Sequence, residues 1–176
     1  MNPTTWEGGY RREALQLAEA MARRGAKTGV IEQLAGLSKE QARAVVRAVT
    51  GADPRSGPLH LSVATLLCNR RRHARLSAIA RLFLTLNPQP SALDAHALLR
   101  TWDLFAYLDG PPVPGDFKPI TFTELFILAR DLRIGNAELR RCQHCGLNWL
   151  LCHQCDSHLV ECPFCRLGLE TVFRHS

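Results

Sequence analysis

Residues 141–166 read Arg-Cys-Gln-His-Cys-Gly-Leu-Asn-Trp-Leu-Leu-Cys-His-Gln-Cys-Asp-Ser-His-Leu-Val-Glu-Cys-Pro-Phe-Cys-Arg and hold six of the chain's seven cysteines as three Cys-x-x-Cys pairs. A Cys-x-x-Cys turn brings two thiolates to one cation, and two such turns joined by a hairpin-sized insert complete a tetrahedral four-sulfur shell. Cys142/Cys145 and Cys162/Cys165 stand in that relation, with sixteen residues between Cys145 and Cys162. That spacing falls in the roughly 15–20 residue window of zinc ribbons and fingers. The stretch therefore predicts one Zn2+ per chain, held by Cys142, Cys145, Cys162 and Cys165 on a small C-terminal ribbon.

The middle pair, Cys152 and Cys155, leaves other assignments open. Taken as ligands in place of an outer pair, they put only six residues between the turns from Cys145 to Cys152, tight for a ribbon hairpin. A two-zinc, six-cysteine cluster with shared thiolates is the third arrangement. With the outer pairs as ligands, Cys152 and Cys155 fall in the loop between two knuckles. His144, His153 and His158 could each replace a thiol, since neutral imidazole binds zinc well. Gly146, directly after Cys145, suits a knuckle where the chain turns back and backbone N–H groups approach the sulfurs. A disulfide staple would need an oxidising compartment, and the N-terminus shows no secretory signal, so the expected compartment is the cytoplasm.

Composition bounds the rest. A chain of 176 residues, 46% hydrophobic, supports one packed domain with a small appendage. No apolar run approaches the roughly 18 residues that span a bilayer, so no membrane role is expected. The net charge of +6 is uneven: residues 1–81 carry 14 Lys and Arg against 6 Asp and Glu. Of the 22 basic residues, 19 are arginine, whose planar fork matches phosphate oxygens. A cationic N-terminal half of this kind points to nucleic acid.

The chain before the cysteines reads as helices. Residues 10–24 place Ala14, Leu17, Ala18 and Met21 on one face, with Gly25 as a stop. Residues 28–51 contain a short apolar helix broken at Gly36 and a second helix that starts at Ser38. Ser38 with Gln41 forms a capping-box pattern, and Gly51 followed by Pro54 closes the helix. Helix, tight turn, helix is the outline of a DNA-binding helix-turn-helix. Ile31, Ala35, Leu37, Ala42 and Val45 are its expected core, leaving Lys39, Arg43 and Arg47 to project toward a groove. An ordinary helical hairpin with a solvated charged face fits the same pattern.

After a Pro/Gly break at residues 54–58, residues 62–86 read as one helix with Leu76, Ile79, Phe83 and Leu86 in the core. Its Arg70–Arg75 stretch predicts a positive patch, with Arg71 and Arg75 as further phosphate contacts and Cys68 as a buried small residue. Residues 91–108 are apolar around more than one face, so this helix is expected centrally or at a subunit contact, with Leu98, Trp102 and Phe105 buried and His96 packed or capping. Four prolines in residues 109–119 mark a stiff linker. A last helix runs from Thr121, capped with Glu124, to Gly135. The expected fold is mostly α: a helical bundle with a helix-turn-helix-like N-terminal part and a C-terminal zinc-ribbon module. Its parts are residues 1–58, a central helical core at 59–140 and the zinc module at 141–176.

Enzyme readings fail on the motifs. A zinc nucleobase deaminase needs His-x-Glu and Pro-Cys-x-x-Cys, and here no histidine has a glutamate two residues on, while Pro163 follows Cys162. Cys162-Pro-Phe-Cys165 looks like a glutaredoxin-type redox pair, yet no strand precedes it in a βαβ setting. A four-thiolate site is also closed to water and substrate, which favours a structural role.

The N-terminal helix leading into Gln-Leu-Ala-Gly-Leu-Ser at 33–38, the Arg-bearing helix after it, the Gly51–Pro58 break, and Cys142-x-x-Cys145-Gly with Cys162-x-x-Cys165 together resemble the FlhC family. That resemblance implies a mostly helical, zinc-containing, DNA-binding protein. It would assemble with FlhD-type subunits and activate flagellar operons through the sigma-70 RNA polymerase, with its zinc ligands at Cys142, Cys145, Cys162 and Cys165. The Cys152/Cys155 pair departs from the family pattern. A zinc-ribbon adaptor that binds only protein partners, without its own DNA contacts, is the alternative function.

Overall fold

The computed structural model describes residues 4–54, 57, 59, 62–88, 93–110, 119–153 and 161–168, the first five by their backbone alone. In order they form α1 (Thr4–Arg23), α2 (Thr28–Ala35), α3 (Lys39–Thr50), a 3-10 turn (Val63–Leu66), α4 (Arg70–Leu86), α5 (Ala95–Asp109), α6 (Phe122–Arg133), β1 (Ala137–Arg141), β2 (Asn148–Cys152) and α7 (Pro163–Arg166). Among the described residues the fold is mostly helical with one two-stranded hairpin, as expected. None of the described helices is long and apolar enough to cross a membrane. Two compact units are present: Met1–Leu59 with Thr121–Thr123, and His60–Ile120 with Glu124–Ser176.

In the first unit, α1, α2 and α3 pack against one another. Gly25 turns the chain after α1 at φ 75°, and Gly36 ends α2 at φ 64° with its N–H on the Glu32 carbonyl. Three residues later α3 is fully capped. Ser38 Oγ accepts the Gln41 N–H at 3.3 Å, and Gln41 Oε1 accepts the Ser38 N–H at 2.9 Å. Each such satisfied group removes an orphan of the helix end, a contribution of about 1 kcal/mol for the cap. Ile31, Ala35 and Ala42 are buried as expected. Leu37 and Val45 are only half-buried, because α3 turns the i, i+4 pair Ala42 and Val46 inward.

The second unit departs more from expectation. The single helix expected over 62–86 is a 3-10 turn and α4, separated by a break whose Asn69 Oδ1 accepts the Arg72 N–H at 2.9 Å. Buried carboxylates hold that break. Asp131 Oδ2 accepts the Val63 N–H at 2.7 Å, and Glu124 Oε1 meets Arg72 Nη2 at 2.7 Å. Arg72 Nε also donates to the Leu66 carbonyl at 3.1 Å, so one guanidinium ties the end of the turn to α6.

The positive patch expected over Arg70–Arg75 is correspondingly divided. Arg70 and Arg71 are exposed, but Arg72 and His73 are buried. Arg72 lies at i, i+4, i+7 and i+11 with Leu76, Ile79 and Phe83, so it belongs to the apolar face of α4. Glu124 is 4% exposed and supplies the carboxylate of this ion pair. Cys68 is exposed, not buried, because it lies in the break before α4. His96 is exposed too, and its backbone N–H donates to Asp94 Oδ1 at 2.9 Å. On α5, Leu98 and Phe105 are buried and Trp102 half-buried, while Leu104, Tyr107 and Leu108 are exposed. Continuous burial occurs in α6, where every residue from Phe122 to Ala129 is buried. Much of the proline-rich linker at 109–119, part of the 54–58 break, Cys155 and His158 lie outside the described residues.

Candidate metal centre and basic helix faces

The metal centre grows from the hairpin. β1 and β2 pair antiparallel, with Leu139 opposite Leu150 and Ala137 opposite Cys152. The loop between them is the first Cys-x-x-Cys turn. It is closed by Cys142 N–H on the Leu147 carbonyl at 2.9 Å and Gly146 N–H on the Cys142 carbonyl at 3.0 Å. Gly146 sits at φ 74°, a conformation that costs a side-chain-bearing residue strain. The second turn is α7 itself. Cys162 caps it with Pro163 in the first turn, where proline's missing N–H has no helical partner to lose.

Sγ atoms of Cys142, Cys145, Cys162 and Cys165 lie within 4.8 Å of one another. Cys142 to Cys165 is 3.6 Å and Cys145 to Cys162 is 3.7 Å. Disulfide sulfurs would be about 2.05 Å apart. Four sulfurs about 2.3 Å from one central ion stand about 3.8 Å apart along tetrahedral edges, and the two cross-turn distances match that figure. The donor set is all thiol and closed, which fits a structural zinc site. Trp149 and Leu151 pack with Cys142 and Cys162, and Phe164 leans on the same cluster.

Electrostatics within the cluster are those of thiols crowded together. Burial raises the Cys142 thiol, but backbone N–H groups of Cys145 and His144 aimed at its sulfur outweigh that and bring it down to about 6. Cys165 is pushed far up by burial and by the sulfurs of Cys145, Cys142 and Cys162, and burial raises Cys162 too. Cys142 is thus the readier of these three thiols to ionise, and a divalent ion held by the four sulfurs would stabilise the thiolate form.

Cys152 stands outside the sulfur cluster. Rather than lying in a loop between the knuckles, it is a buried residue of β2. His144 and His153 are exposed and likewise outside the cluster.

What positions the hairpin is a pair of α4 side chains that the sequence reading missed. The outward-facing backbone of Leu150 meets both: its N–H donates to Ser77 Oγ at 3.0 Å, and its carbonyl accepts from His73 Nε2 at 2.6 Å. His73 also sets its ring edge against Trp149 at a centroid distance of 5.7 Å. The signal was available, since His73, Ser77 and Ala80 share a face of α4 next to the apolar row.

Burial lowers the His73 pKa from its ordinary 6.5, although the hydrogen bond to Leu150 opposes the shift. Below about pH 6.5 the unfolded chain takes up a proton that folded His73 resists. Stability supplied by the neutral ring is therefore complete above that pH and declines as pH falls through the window down to the folded pKa. His73→Phe should cost about 1–3 kcal/mol at pH 8, the penalty of leaving the Leu150 carbonyl unpaired. In paired urea titrations the gap between wild type and variant should narrow as pH falls below about 6.5. A constant gap would show that His73 does not titrate differently on folding.

The basic residues divide between two helices. On α3, Lys39 and Arg43 are exposed, and Arg47 Nε is 2.5 Å from Asp53 Oδ1 at an exposed position. On α4, Arg71 is exposed, whereas the fork of Arg75 closes on both carboxylate oxygens of Asp109 at the end of α5. Lys39, Arg43 and Arg71 thus present their charge to solvent, while Arg47 and Arg75 share theirs with a carboxylate.

No individual curated protein matches the chain. The family model described as the flagellar transcriptional activator FlhC matches residues 10–172, a span that takes in both the helix-turn-helix outline and all four clustered cysteines. Members of that family activate transcription and are not enzymes, in keeping with a closed four-thiol centre. Over nearly its whole length, then, this chain belongs to the FlhC family of flagellar transcriptional activators.

Proposed function

We propose that the chain is the DNA-binding subunit of an activator complex: in the cytoplasm, with a FlhD-type partner, it binds promoter DNA of flagellar or related motility operons and recruits RNA polymerase. Residues 1–58 supply the helix-turn-helix part, 59–140 the helical core, and 141–176 a module folded around one Zn2+ on Cys142, Cys145, Cys162 and Cys165. The observation that carries the DNA function is α3. It is capped at both ends, buries Ala42 and Val46, and presents Lys39 and Arg43 on its exposed side. Arg47 joins that row when Asp53 releases it, and Arg71 on α4 adds a further exposed cation. Arg75 contributes least, since Asp109 holds its fork.

With its partner present, the protein should bind promoter DNA with a log–log salt slope on the order of −5 if about six phosphates are neutralised. Reversing Lys39 and Arg43 together to glutamate should abolish that binding and leave zinc content and partner assembly intact. Fluorescence anisotropy across a salt series measures it. Unchanged affinity and slope in the double variant would sink the helix-turn-helix assignment and favour an adaptor that touches only protein.

A further inference from the structure

Next to α3 the first unit has a concavity of about 370 Å³, walled in part by Lys27, Glu32, Lys39, Arg43, Gly57 and Leu59. We propose that this concavity seats one phosphate group of the DNA backbone beside the α3 row. It rests on the DNA-binding function proposed above and adds Lys27 to it, a residue outside the helix-turn-helix pattern of exposed cations. Among the described residues that wall it, three are cations, Lys27 at the start of α2 and Lys39 and Arg43 on α3, against the one carboxylate of Glu32, a balance that suits an anion.

Contacts within the unit hold part of the wall. The Lys27 backbone N–H donates to Thr123 Oγ1 at 3.0 Å, which pins the residue that opens α2. A methyl group on Gly57 would come 3.8 Å from Lys27 Nζ, and one on Gly29 would touch Leu59 at 3.7 Å. The ammonium therefore lies beside Gly57. Lys39 and Arg43, one helical turn apart, reach the same space from α3. A phosphate held there lies against the N-terminal half of α3, where a recognition helix meets the groove. Glu32 opposes it, which gives the site a second handle of opposite sign.

Salt-dependent binding of the full chain with its partner tests the site, using promoter DNA and an unrelated duplex. Lys27→Met should weaken both duplexes by the same factor, roughly 5–10-fold at 0.1 M salt, and flatten the log–log slope by about 0.9. Lys27→Arg should restore the slope, and Glu32→Gln should tighten both complexes a few-fold. A merely structural Lys27 would not give these opposite signs, and thermal melting and zinc content check that the variants fold. An unchanged slope in Lys27→Met, while the Lys39/Arg43 reversal still abolishes binding, overturns the phosphate seat and leaves the helix-turn-helix standing. Wild type that fails to bind DNA at all overturns both. Titration with inorganic phosphate, followed by NMR at Lys27 and Arg43, covers the other source. Saturation below about 1 mM with no change in the DNA slope of Lys27→Met would assign the seat to a free phosphorylated compound and overturn the backbone assignment.

Discussion

Glu124→Ala should destabilise the second unit by about 3–5 kcal/mol, because it strands a guanidinium that folding has already taken out of water. Arg72 and Glu124 side chains are each 6% exposed and 2.7 Å apart. The remaining Arg72 would keep its bond to the Leu66 carbonyl but lose its counter-charge. Urea denaturation followed by the fluorescence of Trp102 and Trp149, both in this unit, reads the change. Replacing both partners with apolar residues of similar volume, Arg72→Met with Glu124→Leu, should recover most of the loss, since buried pairs rarely surpass good apolar packing. The double-mutant cycle then isolates a coupling well above the few tenths expected of unrelated sites. A single-variant loss under about 1 kcal/mol would show that water reaches the pair.

Replacing any one of Cys142, Cys145, Cys162 or Cys165 with serine should remove the metal and unfold the hairpin and α7 together. Apparent binding energies of structural zinc at neutral pH are about 10–16 kcal/mol, and in such sites binding is folding. A two-stranded hairpin has little stability of its own. Metal analysis should give about one zinc per wild-type chain and almost none in the four variants. Near-ultraviolet circular dichroism should fall with it, because Trp149 packs on Cys142 and Cys162. Cys152→Ala should keep its zinc, alanine being the control because Cys152 is buried in β2. Equal zinc loss in that control would show a different ligand set, and two zinc ions per chain would reveal a bridged cluster.

Local signals survived folding in this chain. The capping box at Ser38, the stops at Gly25, Gly36 and Gly51 and the two outer Cys-x-x-Cys turns each depend on a few neighbouring residues, and each is found where the sequence put it. What was illegible depends on partners far along the chain. Arg72 read as part of a basic run because Glu124, its counter-charge, is fifty-two residues away. Asp131 gives no hint that it accepts the N–H of Val63. Apolar residues on more than one face of α5 suggested a central helix or a subunit contact, and within the chain it is α6 that has the continuous burial. Composition counts apolar residues but does not say which helix the others surround. Cys152 looked like a loop cysteine until pairing with β1 drew it into a strand.

Two side chains of α4 settle one more matter for the hairpin. A strand with an open side is a template on which a second chain can add itself, the starting point of aggregation and strand exchange. On β2 the one residue between Trp149 and Leu151 has both its main-chain groups engaged by Ser77 and His73, so a foreign strand arriving there finds neither donor nor acceptor on offer. The same two bonds that seat the metal module on its helix therefore also keep its apolar strand from recruiting a neighbour.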